Sequence, residues 1–251
     1  MRIASLGSGS KGNATLVQHE GTTLLVDCGF SVRKFTQRLQ RLGMVPGDID
    51  AVLLTHEHGD HSGGVERLCS NHGIQLWTAM GTARAVLGAD CDFNTLIAGQ
   101  TFDIGGIEVE PVTVPHDASE PLQFIFRQID NGKRFGILTD SGHITSHIVA
   151  AFDKLDGLLL EFNYDPQMLE TGPYPQSLKQ RVGGNHGHLS NEQSLDLLRQ
   201  IDTSGLGCLI AAHISEKNNT PAIVARGIEQ LTGVPRPVLA SQEEGFDWIE
   251  I

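Results

Sequence analysis

The stretch that most restricts this chain is Thr55-His56-Glu57-His58-Gly59-Asp60-His61. It follows the apolar run Ala51-Val52-Leu53-Leu54, which reads as a buried strand, and precedes a helix-like stretch from Gly63 to His72. The motif therefore lies on a strand-to-helix loop, where a rigid strand end can mount ligands. Three histidines and a carboxylate within six residues cannot all bind one ion in tetrahedral geometry, because adjacent side chains diverge. Two neighbouring ions resolve the conflict. His56 and His58 turn toward one, while Asp60 and His61 turn toward a second about 3.5–4 Å away. If the loop works this way, further donors must reach it from later strand ends.

Three more polar groups follow apolar strands in the same manner. His116 comes after Val112-Thr113-Val114-Pro115, Asp140 after Ile137-Leu138-Thr139, and His213 after Leu209-Ile210-Ala211-Ala212. Singly, each would read as a satisfied buried histidine or a helix-capping aspartate; together with the motif they make one set. Asp27, at the end of Thr23 to Val26, is suited to hydrogen-bond the motif loop from behind and orient its imidazoles. The Gly/Ser loop after the first strand carries Ser8, Ser10, Lys11 and Asn13, whose hydroxyls, amide and ammonium suit an oxyanion, although the same loop also reads as a plain hairpin turn. Ser215, Asn218 and Asn219 carry the same ambiguity: they can donate to phosphate or form the turn before Thr220.

Composition narrows the class. With 251 residues, 39% hydrophobic and 19% charged, the chain has the make-up of a globular α/β protein and the length for one large core, read as a single domain over 1–251. No apolar stretch approaches 18 residues and the N-terminus lacks a signal-peptide pattern, so a cytoplasmic location without membrane association is expected. Cys28, Cys69, Cys91 and Cys208 are scattered without a Cys-x-x-Cys pair, which fits free thiols in a reducing compartment. A formal net charge of -12 argues against broad attraction to a polyanion. It does not exclude a phosphate substrate, because two divalent ions would invert the sign of the field where the chemistry occurs.

In order, the sequence predicts strands over Arg2–Leu6, Ala14–Val17 and Thr23–Val26, then a helix over Val32–Leu42. A short strand at Gln75–Thr78 and a helix at Thr82–Leu87 follow the motif helix. Phe102–Val114 is strand broken at Gly105-Gly106, and Leu122–Ile129 pairs with Phe135–Thr139 across the Asn131-Gly132 turn. Helices are expected over Ile144–Leu155, Tyr174–Val182, from the capping box Ser190-Asn191-Glu192-Gln193 through Leu198, and from Thr220-Pro221 to Leu231. Strands are expected at Gly157–Leu160 and Cys208–Ala212, with an edge strand at the end through Phe246, Trp248 and Ile251. This order suits a four-layer αββα sandwich with the site at one edge.

The His-x-His-x-Asp-His motif resembles the signature of the metallo-β-lactamase superfamily. That resemblance implies that His56, His58 and His116 hold one metal, that Asp60, His61 and His213 hold the other, and that Asp140 bridges them with room for a shared water, which ionises near neutral pH. Zinc or manganese suits such a histidine and carboxylate mixture. More specific stretches resemble the YycJ/WalJ family across essentially the whole chain: Gly7-Ser8-Gly9-Ser10-Lys11-Gly12-Asn13, His116-Asp117-Ala118-Ser119-Glu120-Pro121, Glu161-Phe162-Asn163-Tyr164-Asp165, Gly172-Pro173-Tyr174-Pro175 with Leu178-Lys179-Gln180-Arg181, Gly187-His188-Leu189-Ser190-Asn191-Glu192 and His213-Ile214-Ser215-Glu216-Lys217-Asn218-Asn219-Thr220-Pro221. This family is similar to ribonuclease Z, and the implied activity is 5′ to 3′ exonuclease cleavage, of DNA ahead of RNA. By the same analogy His188 is the general acid, Glu161 holds its ring, and Asp60 also aligns the attacking water. His186 stands where the family pattern has arginine, and Gln123 where it has glycine. No added domain for gripping substrate is evident, so loops or a homodimer would have to supply the grip. Two other readings stay open: a hydrolase of this fold acting on a small cyclic phosphodiester or a thioester, and a metal-binding regulatory protein without turnover.

Overall fold

The computed structural model describes residues 1–88 and 91–251. The chain opens with an antiparallel meander of β1 (Arg2–Gly7), β2 (Ala14–His19) and β3 (Thr22–Val26). β4 (Ala51–Leu54), β5 (Gln75–Ala79) and β6 (Asn94–Leu96) then add in parallel, each beside the one before. The second half repeats this plan. β7 (Phe102–Ile104), β8 (Ile107–Thr113), β9 (Leu122–Gln128) and β10 (Arg134–Leu138) are antiparallel neighbours, and β11 (Gly157–Glu161), β12 (Cys208–Ala212) and β13 (Val238–Leu239) follow in parallel. β14 (Phe246–Glu250) returns to the first sheet as an edge strand against β1. Two seven-stranded sheets result, ordered β14-β1-β2-β3-β4-β5-β6 and β13-β12-β11-β10-β9-β8-β7.

Strand alternation explains the layers. Leu24, Val26, Leu53, Leu159 and Ile210 point between the sheets with Phe124, Phe126 and Ile137. Their neighbours point the other way, against helices. Leu25, Val52 and Leu54 meet Phe35 and Leu39 of α1 (Val32–Gln40) and Val65 and Leu68 of α3 (Val65–His72), which α2 (Gly59–Ser62) precedes. After α4 (Met80–Val86), the remaining helices belong to the second half: α5 (Ser146–Ala151), α6 (Pro166–Thr171), α7 (Gln176–Val182), α8 (Asn191–Gln200) and α9 (Pro221–Ile228). Leu158, Leu160, Leu209 and Ala211 pack on Ile148 of α5, Leu197 and Leu198 of α8, and Val224 and Ile228 of α9. The central parallel strands β4, β11 and β12 are buried on both faces, so they read as apolar runs. The expected αββα sandwich is the observed architecture.

Several elements differ from the sequence reading. α5 is shorter than the span Ile144–Leu155, because the Thr145 side chain accepts from Ile148 N and starts the helix there, while Phe152 and Leu155 bury themselves from the turn that follows. α4 begins at Met80, ahead of Thr82. The edge strands β6 and β13 span three and two residues, too few for a period to show. α6 was not anticipated either, although Asp165 caps it and Pro166 occupies its first turn.

Candidate active site

The carboxyl ends of six strands converge on one cleft edge. β3 delivers Asp27, β4 the histidine motif, and β8 leads through Val114-Pro115 to His116; β10 delivers Asp140, β11 ends on Glu161, and β12 delivers His213. Asp27, Asp140 and His213 adopt φ values of +62°, +51° and +53°. This left-handed backbone costs an L-residue roughly 1–2 kcal/mol. It reverses the chain immediately after a strand. Strain of this kind concentrates where side-chain aim is functional. Behind the motif, Cys28 N donates to His61 O at 2.8 Å, Asn13 N to Asp60 O at 2.8 Å, and Gly64 N to Cys28 O at 2.7 Å. Gly29 allows this close approach, since a Cβ there would lie 1.8 Å from Asp60 O.

The hydrogen bonds of each ring decide which nitrogen remains for the cleft. His56 Nδ1 is 2.9 Å from Thr55 Oγ1 and His116 Nδ1 is 2.9 Å from Gly187 O, which leaves Nε2 on both. These two Nε2 atoms lie 3.1 and 3.2 Å from His58 Nδ1. His56 Nε2, His58 Nδ1 and His116 Nε2 thus form one tight trio of donors. A second trio is looser: Asp60 Oδ2 is 3.6 Å from His61 Nε2 and 3.8 Å from His213 Nε2. Asp140 Oδ2 lies 3.3 Å from His61 Nε2, and Asp140 also groups with His56, so it stands between the trios.

Two of these atoms, Asp140 Oδ2 and His213 Nε2, are buried without a hydrogen-bond partner among the described residues. Buried polar atoms of a folded protein are normally paired, so a carboxylate oxygen and an imidazole nitrogen left free here fit a cation. The electrostatics agree. Burial opposes charge on Asp140, but the imidazoles of His213, His61 and His188 outweigh it and hold the carboxyl well below the usual carboxylate range. Burial likewise opposes an imidazolium at His213, yet Asp140, Asp60 and Glu161 push its pKa up to about 10. His61 is raised well above the ordinary histidine value by Asp140 and Asp27 despite burial. Burial lowers His56 and His116 instead, which keeps them neutral as donors. The carboxylates therefore demand positive charge, and protons on His61 and His213 satisfy it where divalent metal would.

Supporting residues hold the rings. Asp27 accepts from His61 Nδ1 at 2.7 Å, from Thr55 N at 2.8 Å and from Thr55 Oγ1 at 2.9 Å. Glu161, fully buried, accepts through Oε1 from His188 Nδ1 at 2.8 Å and His213 Nδ1 at 3.1 Å, and through Oε2 from Ser141 N and Leu189 N. Changing Asp27 to asparagine keeps the left-handed backbone accessible but removes the charge behind His61. Competition with a chromophoric chelator should show metal affinity falling about 10- to 100-fold in this variant. Unchanged affinity would mean that Asp27 only shapes the loop.

The oxyanion candidates separate on inspection. Ser10, Ser215 and Asn218 line the cleft, as do His58, Asp60, Asp140, His188 and His213. Ser8, Lys11, Asn13 and Asn219 do not. Ser8 Oγ accepts from His213 N at 2.9 Å, and Asn13 Nδ2 bonds Gly9 O and Asp60 O, so both brace the site from behind. Lys11 is paired with Glu216 at 2.8 Å, and Asn219 is spent on Phe162 O and Asn191. His186 is exposed outside the cleft, and Gln123 is buried beside Thr139. Arg181 and Tyr174 line the cleft although the sequence reading gave them no role; the signal was their place in the stretches Gly172-Pro173-Tyr174-Pro175 and Leu178-Lys179-Gln180-Arg181 that carry the family resemblance.

A protein-family comparison matches residues 22–214 to the beta-lactamase superfamily domain. The chain belongs to that superfamily. Exodeoxyribonuclease WalJ of Streptococcus pneumoniae is 35% identical over 225 residues, which span 87% of this chain and 83% of the relative, and puts the chain in the same family. Exodeoxyribonuclease YycJ of Bacillus anthracis is 28% identical over 237 residues, covering 92% and 89% of the two chains. Among solved structures, Zn(2+)-bound PqqB from Methylobacterium extorquens superposes over 100% of both chains with a TM-score of 0.76 at 18% identity, a likeness of fold. The fold is the metallo-β-lactamase fold, and the chain is a metal-dependent hydrolase of this superfamily with His/Asp clusters suited to divalent metal. Among the described residues no helix is long and apolar enough to cross a membrane.

Proposed function

We propose that this protein is a two-metal phosphodiesterase acting on nucleic acid, a 5′ to 3′ exonuclease on DNA, with residues 1–251 forming one catalytic domain in the cytoplasm. The observation that carries the reading is His188 at the cleft, its Nδ1 fixed 2.8 Å from the buried Glu161 and 3.5 Å from Asp140, beside two trios of donors. A hydrolase of phosphodiesters needs a proton for the leaving oxygen next to its metals. His56, His58 and His116 would hold one ion, Asp60, His61 and His213 the other, with Asp140 between them. Zinc or manganese bound there would polarise the phosphoryl group and lower the pKa of water.

The chain's own groups do the rest. Glu161 accepts the hydrogen bond of His188 Nδ1–H and orients the ring, which leaves Nε2–H to face the leaving oxygen. Asp60 aligns the attacking water opposite the leaving group. Ser10, Ser215 and Asn218 offer polar contacts along the cleft. The names of the WalJ and YycJ relatives favour DNA, and the 5′ to 3′ direction rests on the family resemblance read in the sequence.

The test incubates the protein, with manganese and separately with zinc, on 5′-phosphorylated single-stranded DNA labelled at its 3′ end. A ladder that shortens progressively from the 5′ end, and is absent with Asp60→Ala, is the expected result. No cleavage with either metal would overturn the nuclease reading in favour of a small phosphodiester.

A further inference from the structure

The cleft has a volume of about 340 Å³, and one wall of it is not made of metal donors. Tyr174, Leu178, Arg181 and Val182 form that wall, on α7 and the turn leading into it. α7 buries none of its residues. A surface helix normally earns its place by burying an apolar stripe in the core. Here Leu178, Val182 and the Tyr174 ring give their half-exposed apolar surface to the cleft instead.

Arg181 is the only lysine or arginine among the lining residues, in a chain of net charge -12. Its Nε donates to Asp117 Oδ2 at 2.6 Å. The other oxygen of Asp117 lies 3.5 Å from His58 Nε2 and 3.6 Å from His116 Nε2. Asp117 therefore ties the guanidinium to the side of the cleft where the histidine trio sits. The Arg181 side chain is still 59% exposed, and this bond uses only one edge of its fork. The remaining edge suits a phosphate, which arginine recognises through paired N–H groups.

We propose that Arg181, braced by Asp117, takes a backbone phosphate of the substrate strand, and that Tyr174 and Leu178 take the base of the nucleotide to which it belongs. This rests on the nuclease reading and adds the groups that select substrate. Stacking on an aromatic ring needs a base face that is free, which a terminal unpaired nucleotide has and a base inside a duplex lacks. The cleft volume lies at the small end of the range for small-ligand sites, about 300–1,000 Å³, so it admits roughly one nucleotide at a time. Recognition of a single-stranded end follows.

The test uses the metal-loaded protein on single-stranded DNA, with an oligonucleotide carrying an abasic 5′-terminal residue as comparison. Arg181→Ala should raise KM about tenfold or more with a smaller change in kcat, and Arg181→Lys should recover part of it. The slope of log KM against log salt should become shallower by about 0.7, the value for one lost phosphate contact on a single strand. Tyr174→Ala should raise KM on normal DNA by roughly fivefold or more, and much less on the abasic strand. A merely structural role would impair both substrates equally and leave the salt slope alone. That outcome overturns the proposal while wild-type cleavage keeps the nuclease reading. Failure of the wild type on every oligonucleotide removes both.

Discussion

Replacing Asp140 by asparagine is expected to lower kcat/KM on DNA on the order of a thousandfold or more, in a protein that stays folded. Asp140 is 2% exposed, and its oxygens face three imidazoles: His61 Nε2 at 3.3 Å, His188 Nδ1 at 3.5 Å and His213 Nδ1 at 3.7 Å. It is the one carboxylate between the two trios of donors. Asparagine fits the space and tolerates its φ of +51°, so the backbone has no reason to move. The negative charge that draws cations into the cleft is lost. Metal ions contribute several kcal/mol of transition-state stabilisation, and each 1.36 kcal/mol is tenfold in rate, which sets the magnitude. Elemental analysis should show less metal per chain, and circular dichroism should be unchanged. Activity within tenfold of wild type, at full metal content, would sink the assignment of Asp140 as a shared ligand.

The second large effect is expected at His188. Its replacement by alanine should reduce kcat by about 10²–10⁴, the range for loss of a positioned proton donor, with little change in metal content. The side chain lines the cleft, and Glu161, at 2.8 Å, is nearer to its Nδ1 than Asp140, at 3.5 Å. Glu161→Gln should be milder on kcat, about 10- to 100-fold, because it leaves the ring in place but weakens the hydrogen bond that orients it. Glu161 also holds His213 at 3.1 Å, so its variant should lose some metal as well. A DNA substrate with a leaving group that needs no proton, such as a p-nitrophenyl ester of a nucleotide, should be cleaved by His188→Ala with a much smaller penalty. An equal loss on both substrates would remove the general-acid role.

The sequence carried the local half of this structure. An apolar run ending in His-x-His-x-Asp-His fixes both a strand and the donors at its end, and the same logic picks out His116, Asp140 and His213, because an apolar run buried in a sheet leaves the polar residue that follows it at the strand's carboxyl end. Capping residues at Ser190 and Thr220 likewise mark helix starts within a few residues. The tertiary structure decided what lies next to what. The two sheets repeat one order of antiparallel and parallel pairs without a sequence repeat to announce it, since the plan depends on which strands meet and many apolar residues serve equally well. It also decided that Ser8 and Asn13 support the donors from behind, that Asn219 is consumed by internal hydrogen bonds, and that Arg181 reaches Asp117 across 64 positions of chain. Such pairings cannot be read from spacing. A side chain's role is set by the neighbours that folding brings to it, whereas the elements themselves are set by residues close together in the chain.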